Sequence, residues 1–252
     1  MKLNYKSFGQ GPPLIILHGF LGSLDNWQTV AKTLAEDYTV FTVDQRNHGK
    51  SPHSDKMNYN VMAEDLMKFL DDQWIHQTSI IGHSMGGKTA MTFANNFPDR
   101  LDKLIVVDIG PKAYPPGHDF ILEALEAVPI DKVESRSEVD DILAKYIDGK
   151  GVRLFLMKNL ARTKEGFRWK MNLPVLIEHY AEVTAAVWPN ETYEGDSLFV
   201  RGTRSNYITD HDWPEILHHF HNAELVDIKD AGHWVHAEKP EELIAAVRQF
   251  MG

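Results

Sequence analysis

The strongest chemical pattern in the sequence is Gly82-His83-Ser84-Met85-Gly86, in which a serine stands between two glycines. A β-branched run from Thr78 to Ile81 precedes it, and helix formers with an apolar face follow from Lys88 to Ala94. A strand, a tight turn and a helix in this order hold the serine in a strained conformation, with its hydroxyl at the end of a sheet. Gly82 and Gly86 remove side chains that would collide where strand and helix nearly touch. The pattern predicts Ser84 as a nucleophile; the alternative is a glycine-rich turn without chemistry.

A serine nucleophile needs a base, and two histidines compete for that role. His233 directly follows Gly232 in the loop after the last predicted strand, where an imidazole can reach the end of the sheet. His236 lies three residues further on and is more typical of a residue that holds the loop. We therefore predict His233 as the general base.

Two backbone N–H groups are candidates for stabilising an oxyanion. The N–H of Met85 lies at the start of the predicted helix, where the helix dipole and an unpaired donor favour negative charge. The segment His18-Gly19-Phe20 follows the apolar run Leu14 to Leu17, and in a sheet of this kind its loop lies beside the nucleophile turn. The N–H of Phe20 is the predicted second donor; the alternative is a loop that only leads into a helix.

Composition limits the functions that the chain can have. It has 252 residues, 43% of them hydrophobic, a formal net charge of −10 and no cysteine. The charge disfavours nucleic acid and acidic membrane surfaces as partners, and the lack of cysteine excludes disulfides, thiolate catalysis and cysteine-ligated metals. Because the N-terminus has neither a long apolar run nor a small-residue cleavage site, we expect an unexported, cytoplasmic protein without membrane insertion. Its oligomeric state is left open.

Two further motifs suggest binding sites, and neither is convincing. Gly49-Lys50-Ser51 resembles the end of a phosphate loop, but the leading glycine that such a loop needs falls at Asp44, so we expect Asp44 and Arg46 to hydrogen-bond neighbouring loops instead. His218, His219 and His221 lie outside any His-Glu-x-x-His pattern, and we expect solvated histidines and no metal site.

Strands and helices alternate along the first part of the chain, which predicts a parallel, doubly wound sheet with catalytic groups at the carboxyl ends of its strands. From residue 111 to 196 the strong buried strands stop, and amphipathic helices are predicted at about 118–128, 137–147, 152–160 and 174–183. The strand pattern resumes at Ser197. We therefore predict a core of residues 1–110 and 197–252 and a helical cap of residues 111–196.

The residues expected around the nucleophile indicate the kind of substrate. Leu21 and Trp234, together with Phe20 and Met85, form an apolar lip that favours a neutral acyl group. The cap also carries a basic run, which could meet the phosphates of coenzyme A or could be solvated surface: Lys158, Arg162, Lys164, Arg168 and Lys170.

The motifs around His18, Asp44, Ser84 and His233 have the order and spacing of the α/β-hydrolase fold superfamily, and the chain resembles that superfamily everywhere except in the variable cap. Within it, Arg46-Asn47-His48-Gly49-Lys50-Ser51 and Lys88 after the double glycine are similar to the YbfF-type bacterial serine carboxylesterases. The resemblance implies hydrolysis of acyl esters, or of acyl-CoA thioesters, without a cofactor. The alternatives are a carbon-carbon bond hydrolase of the same fold and, in another class, a non-catalytic small-ligand binder.

The acid that orients the imidazole has two candidates in the sequence. In the commonest layout of this fold it follows the strand after the cap, but here no carboxylate occurs in that loop until Asp210. Asp108 instead ends the strand that follows the nucleophile's helix, and the YbfF-type resemblance places the acid there. We predict Asp108 as the acid, Asp210 as the alternative, and Ser205 as a supporting hydrogen-bond partner.

Overall fold

In the part of the chain that the structure describes, seven strands form the central sheet, and a separate hairpin of two strands lies between the fifth and sixth of them along the chain. The computed structural model describes residues 1–164, 166–188 and 192–252. The strands are β1 (Tyr5–Phe8), β2 (Pro13–Leu17), β3 (Thr39–Val43), β4 (Thr78–His83), β5 (Leu101–Val107), β6 (Leu160–Arg162), β7 (Phe167–Trp169), β8 (Ser197–Gly202) and β9 (Ala223–Ile228).

Helices cover both faces of this sheet and fill most of the segment between β5 and β8. They are α1 (Gln28–Leu34), α2 (Tyr59–Asp72), α3 (Met85–Asn96), α4 (Asp119–Glu126), α5 (Arg136–Leu143), α6 (Lys150–Met157), α7 (Leu173–Glu178), α8 (Tyr180–Thr184), α9 (Trp213–His219), α10 (Val235–Glu238) and α11 (Pro240–Met251). Short 3₁₀ helices span Leu24–Trp27 and Pro98–Arg100. None of the helices in the described part of the chain has the length and hydrophobicity needed to cross a membrane.

The strand order is β1-β3-β2-β4-β5-β8-β9, and all neighbours are parallel except the edge pair β1 and β3. The central strands β2 and β4 are buried along almost their whole length because both faces of the sheet are covered, as is usual for a parallel sheet. One hydrophobic cluster packs α2 and α3 against one face, and a second packs α1 and α11 against the other. The predicted fold class, a mostly parallel α/β sheet, is confirmed.

The register of the strands decides which loops meet at the edge of the sheet. Leu17 at the end of β2 pairs with Gly82, and Val107 at the end of β5 pairs with both His83 and Val200. The loops that follow β2, β4, β5 and β8 therefore leave the sheet side by side. This brings the segments after residues 17, 83, 107 and 202 to one place.

The segment predicted as a cap, residues 111–196, differs in detail from the prediction, and we keep the name cap for it. The predicted helix 152–160 is wrong at its end, because α6 stops at Met157 and Leu160 begins the hairpin β6-β7, pairing with Trp169. The spacing of Leu156 and Leu160 fits a helix equally well, and only pairing with the distant β7 decides between the two forms. The predicted helix 174–183 is two helices, since His179 leaves the helical conformation (φ −100°, ψ 19°).

Candidate active site

Ser84 lies in the tight turn between β4 and α3, with φ 53° and ψ −120°. A non-glycine residue keeps such a backbone only when its surroundings enforce it. The surroundings here are close-packed: a Cβ on Gly82 would lie 2.3 Å from the carbonyl oxygen of Gly86, and a Cβ on Gly86 would lie 2.4 Å from that of Leu17. The two glycines therefore let helix and strand touch, as predicted. The Ser84 hydroxyl makes no capping hydrogen bond to α3, so it remains available for chemistry.

The imidazole of His233 is hydrogen-bonded to the carboxylate of Asp108, with 2.7 Å between Nδ1 and Oδ2. Asp108 is completely buried, and its carboxylate accepts two further hydrogen bonds, from the Ser205 hydroxyl at 2.5 Å and from the Gly202 N–H at 3.0 Å. A carboxylate with only acceptor atoms requires the proton of the imidazole to be on Nδ1. Nε2 of His233 is then an unprotonated acceptor, which is the state that a general base needs.

The two competing residues lie in other environments. Asp210 is mostly exposed and forms an ion pair with Arg201 at 2.8 Å. His236 is buried with its ring stacked on Trp27, the ring centres 4.4 Å apart. Burial lowers the pKa of His236 to about 3, so this imidazole stays neutral. Of the predicted candidates, the structure brings together His233 and Asp108.

The loop after β2 lies directly against the nucleophile turn. A Cβ on Gly19 would lie 3.3 Å from Cβ of Ser84. The loop forms a four-residue turn closed by the N–H of Gly22 and the carbonyl of Gly19 at 3.0 Å. Within the described parts of the chain, neither the N–H of Phe20 nor that of Met85 has a hydrogen-bond acceptor. Both donors flank Ser84 and can serve an oxyanion.

Two cavities meet at Ser84. The smaller, of about 50 Å³, is lined by Phe20, Leu21 and Trp234 among others, and His233 borders it. The larger, of about 390 Å³, is lined by Phe20 and Met85. The prediction placed Met85 with Leu21 and Trp234 around the acyl pocket. Met85, the first residue of α3, lines the larger cavity, whereas Leu21 and Trp234 line the smaller one.

Aromatic residues that the sequence analysis did not single out complete the larger cavity. Tyr207 stacks on His233, with ring centres 4.0 Å apart, and Tyr180 stacks on Phe20 at 5.6 Å. The Tyr180 hydroxyl accepts hydrogen bonds from the N–H groups of Gly117 and His118. These residues lie in the cap and in the loop after β8, where no local pattern indicates that they reach the serine.

Lys88 also lines the larger cavity, which its place after the double glycine does not indicate. Its ammonium group donates hydrogen bonds to the carbonyls of Lys112, Thr184 and Ala185, at the two ends of the cap. Burial lowers the pKa of Lys88 to about 7. The lysine thus ties the nucleophile's helix to both ends of the cap.

The structure also shows what the other suggestive residues do. Asp44 accepts hydrogen bonds from the N–H groups of Leu24 at 2.8 Å and Lys50 at 2.9 Å, and Arg46 pairs with Asp65 at 2.7 Å, which confirms their structural role. In the described ranges, no three His, Asp or Glu side chains are grouped as metal ligands. The basic run lies around the hairpin β6-β7 and lines neither cavity at Ser84.

Comparison with known proteins shows the family. The model of the α/β-hydrolase fold family matches residues 12–240, and the chain belongs to that family. It is 37% identical to esterase YbfF of Escherichia coli K12, with 100% of this chain and 99% of YbfF covered. It is 38% identical to the sn-1-specific diacylglycerol lipase ABHD11 of Danio rerio, with 100% of this chain and 83% of the lipase covered. A solved structure of a marine microorganism esterase superposes with a TM-score of 0.97 at 41% identity, covering 99% of both chains. The resemblance to YbfF-type proteins is confirmed.

Proposed function

We propose that the protein is a serine carboxylesterase that hydrolyses acyl esters through an acyl-serine intermediate. Ser84 is the nucleophile, His233 the general base and Asp108 the acid that orients it. The observation that carries the proposal is the hydrogen bond of 2.7 Å between His233 and the buried Asp108, next to the cavity that holds Ser84. The names of the relatives, an esterase and a lipase, support the same reaction class.

In the first half of the reaction, Nε2 of His233 takes the proton of the Ser84 hydroxyl as its oxygen attacks the ester carbonyl. The carbonyl oxygen becomes an oxyanion and accepts hydrogen bonds from the N–H groups of Phe20 and Met85. Collapse of this intermediate breaks the bond to the alcohol, which leaves with the proton from His233. The product of this half is an acyl group covalently bound to Ser84.

The second half repeats these steps with water as the nucleophile. His233 takes a proton from water, and the resulting hydroxide attacks the acyl-serine. The carboxylic acid product leaves as His233 returns a proton to Ser84. In both halves the negative charge of Asp108 stabilises the imidazolium of His233. Ser205 donates to the same carboxylate oxygen that faces the imidazole, so it holds the acid in its orientation.

The two cavities at Ser84 provide room for the two parts of an ester. The smaller one is bordered by Leu21 and Trp234, and we assign these side chains to substrate binding. In the larger one the hydroxyls of Tyr59 and Tyr114 donate to backbone carbonyls, so their protons are not available to a polar group of a ligand. A neutral, apolar substrate fits such walls. The cap of residues 111–196 closes both cavities over the core of residues 1–110 and 197–252.

Turnover of a nitrophenyl ester tests the proposal, with labelling of Ser84 by a fluorophosphonate as a second measurement. We expect wild-type protein to hydrolyse the ester and to carry one phosphonyl group on Ser84. Ser84→Ala should do neither, while its circular dichroism spectrum stays that of the wild type. A folded Ser84→Ala variant with wild-type turnover would contradict the serine mechanism, and a wild-type protein that neither turns over nor becomes labelled would indicate a non-catalytic binder.

Thioester hydrolysis is the second candidate activity, and the exposed basic run on the cap is the feature that favours it. A coenzyme A thioester and a simple thioester of the same acyl group distinguish the two. If the run binds the phosphates, kcat/KM for the coenzyme A thioester exceeds that for the simple thioester, and the difference shrinks at high salt. Equal values at both salt concentrations would leave the run as solvated surface.

A further inference from the structure

The turn that carries the N–H of Phe20 contains one residue, Leu21, in a strained backbone conformation. Leu21, the third residue of this turn, has φ 57°, a conformation that favours glycine. Leu21 is also buried, so water does not satisfy its peptide groups. A leucine keeps such a conformation only if neighbouring groups fix it.

Two buried side chains provide that fixation, one from each side of Leu21. The N–H of Leu21 donates to Nε2 of His48 at 3.3 Å, and the carbonyl of Leu21 accepts from Nδ2 of Asn159 at 2.7 Å. His48 belongs to the loop after β3, whereas Asn159 belongs to the cap. The peptide groups before and after the Cα of Leu21 are therefore both held from outside the turn.

His48 can accept this hydrogen bond because it is neutral. Its Nδ1 lies 2.9 Å from the carbonyl of Arg46 and must carry the proton there, which leaves Nε2 as an acceptor. Burial lowers the pKa of His48 to about 3, so the imidazole stays in this state over the working range of an esterase.

Among the described residues, the side chain of Asn159 has no second hydrogen bond that would explain its burial. It is 1% exposed, and its Oδ1 has no partner in the described part of the chain. A buried amide with one unsatisfied atom is costly, so a packing role alone would favour an apolar residue here. Within residues 1–164, 166–188 and 192–252, the contact of Nδ2 with the Leu21 carbonyl is the one hydrogen bond that uses the side-chain amide.

The hairpin β6-β7 links Asn159 to the loop that carries His48. Asn159 immediately precedes β6, and its carbonyl accepts from the N–H of Lys170, directly after β7. Asn172, two residues further on, donates through its N–H to the carbonyl of Asn47 at 2.9 Å. Asn47 is the neighbour of His48, so the base of one cap hairpin holds both the Leu21 turn and the loop that carries His48.

We propose that Asn159 is a positioning residue that keeps the N–H of Phe20 aimed at the oxyanion, and that the cap thereby takes part in catalysis. This inference rests on the proposed esterase function. Without the contact to Asn159, the strained Leu21 relaxes by rotation of the peptide planes of Phe20 and Leu21. The N–H of Phe20 then leaves the position of the developing charge, while the buried side chains of Phe20 and Leu21 stay packed in the walls of the cavities.

Asn159→Leu tests the proposal, because leucine has a similar volume and no donor. Loss of one oxyanion donor lowers kcat by about 10²–10³-fold in other serine hydrolases; for a displaced donor we expect a decrease of roughly 10–100-fold with little change in KM. A trifluoromethyl ketone, which adds to the serine and forms an oxyanion, should bind more weakly by the same factor. A non-reacting amide analogue of the ester, which forms no oxyanion, should bind as it does to the wild type.

Leu143→Ala is the matched control, since Leu143 is fully buried in the cap helix α5 and its truncation weakens cap packing without removing a hydrogen bond to Leu21. It should leave kcat within about threefold of the wild type. The proposal is overturned if Asn159→Leu keeps wild-type kcat and ketone affinity, or if Leu143→Ala at equal loss of stability lowers kcat as much.

A second variant covers the case in which Asn159→Leu does not fold. His48→Phe removes the acceptor on the other side of Leu21 and should produce the same split, with a lower kcat and an unchanged affinity for the amide analogue. Wild-type kcat in folded His48→Phe would overturn the inference. Failure of the esterase function itself looks different, because the wild type would then neither turn over the ester nor bind the ketone.

Discussion

Replacing Asp108 by asparagine removes the negative charge of the proposed acid while preserving the shape of the side chain. In the wild type, one carboxylate oxygen accepts from both His233 and Ser205, and the other accepts from the N–H of Gly202. An asparagine has one oxygen and one NH₂ group to offer to these three partners. The orientation that it adopts determines the state of the imidazole.

The contacts favour one of the two orientations. If the amide oxygen faced His233, the NH₂ group would meet the N–H of Gly202, donor against donor, in a buried site. If the NH₂ group faces His233, the oxygen accepts from Gly202, and the rotatable Ser205 hydroxyl accepts from the amide. All bonds are then made provided that Nδ1 of His233 accepts and its proton moves to Nε2. The base is then protonated on the nitrogen that should accept the proton of Ser84.

From this tautomer we expect kcat of Asp108→Asn to fall by about 10³–10⁴-fold, as removal of the acid's charge does in another serine hydrolase. Such a decrease corresponds to about 4–5 kcal/mol at 1.36 kcal/mol per factor of ten. One unsatisfied buried group costs about 1–3 kcal/mol. Because every hydrogen bond of the carboxylate has a substitute in the variant, the free energy of unfolding should change by less than this.

Steady-state hydrolysis of a nitrophenyl ester gives kcat, and urea denaturation gives the free energy of unfolding. Asp210→Asn is the control, because Asp210 is exposed and pairs only with Arg201 among the described residues; its kcat should stay within about twofold of the wild type, since exposed ion pairs contribute about 0–1 kcal/mol. A crippled Asp210→Asn and a mild Asp108→Asn would refute the reasoning and move the acid to the later loop.

Three further predictions follow from the packing. Gly86→Ala should lower ester turnover per folded molecule, because the Cβ of the alanine would lie 2.4 Å from the carbonyl oxygen of Leu17. Wild-type turnover per folded molecule would contradict the close packing. His236→Phe should flatten the acid dependence of stability. Burial lowers the pKa of His236 in the folded state to about 3, below its ordinary value of 6.5. The unfolded state therefore takes up the proton first, and the free energy of unfolding falls as the pH drops from 6.5 towards 3. At pH 5.5 the variant should avoid about 1 kcal/mol of this loss, which urea denaturation at pH 8 and 5.5 measures. Lys88→Met should destabilise the protein by about 1–3 kcal/mol, since the partly buried carbonyls of Lys112, Thr184 and Ala185 lose a shared donor. An unchanged urea midpoint would argue against the tie between α3 and the cap.

Much of the fold and the nucleophile turn could be predicted from the sequence because their signals are local. Continuous apolar runs indicate buried parallel strands, and the alternation of strand and helix indicates a doubly wound sheet. The close contact of Gly82 with Gly86 lies within five residues, whereas that of Gly86 with Leu17 depends on the packing of a distant strand. His233 could be chosen over His236 from its place after Gly232, although the catalytic roles of both remain predictions.

Other features depend on contacts between residues far apart in the chain, and no local pattern reports them. The sequence left Asp108 and Asp210 as alternatives; the hydrogen bond that joins Asp108 to His233 spans 125 residues. The contact of Asn159 with Leu21 spans 138 residues. Asn159 lies between the end of α6 and the start of β6, where the sequence predicted that the helix continues to residue 160. The spacing of the apolar residues in that segment fits both a helix and a strand, and pairing with β7 favours the strand.

The sequence by itself determined the order of elements, the strained serine turn and the residue types that could act there, since these follow from propensities and sterics over a few residues. The tertiary structure decided which carboxylate meets the imidazole, how two cavities divide the space at Ser84, and how the cap reaches the Phe20 turn. These features depend on strand register and on packing of the cap against the core. Both are set by contacts between residues that are far apart in the chain.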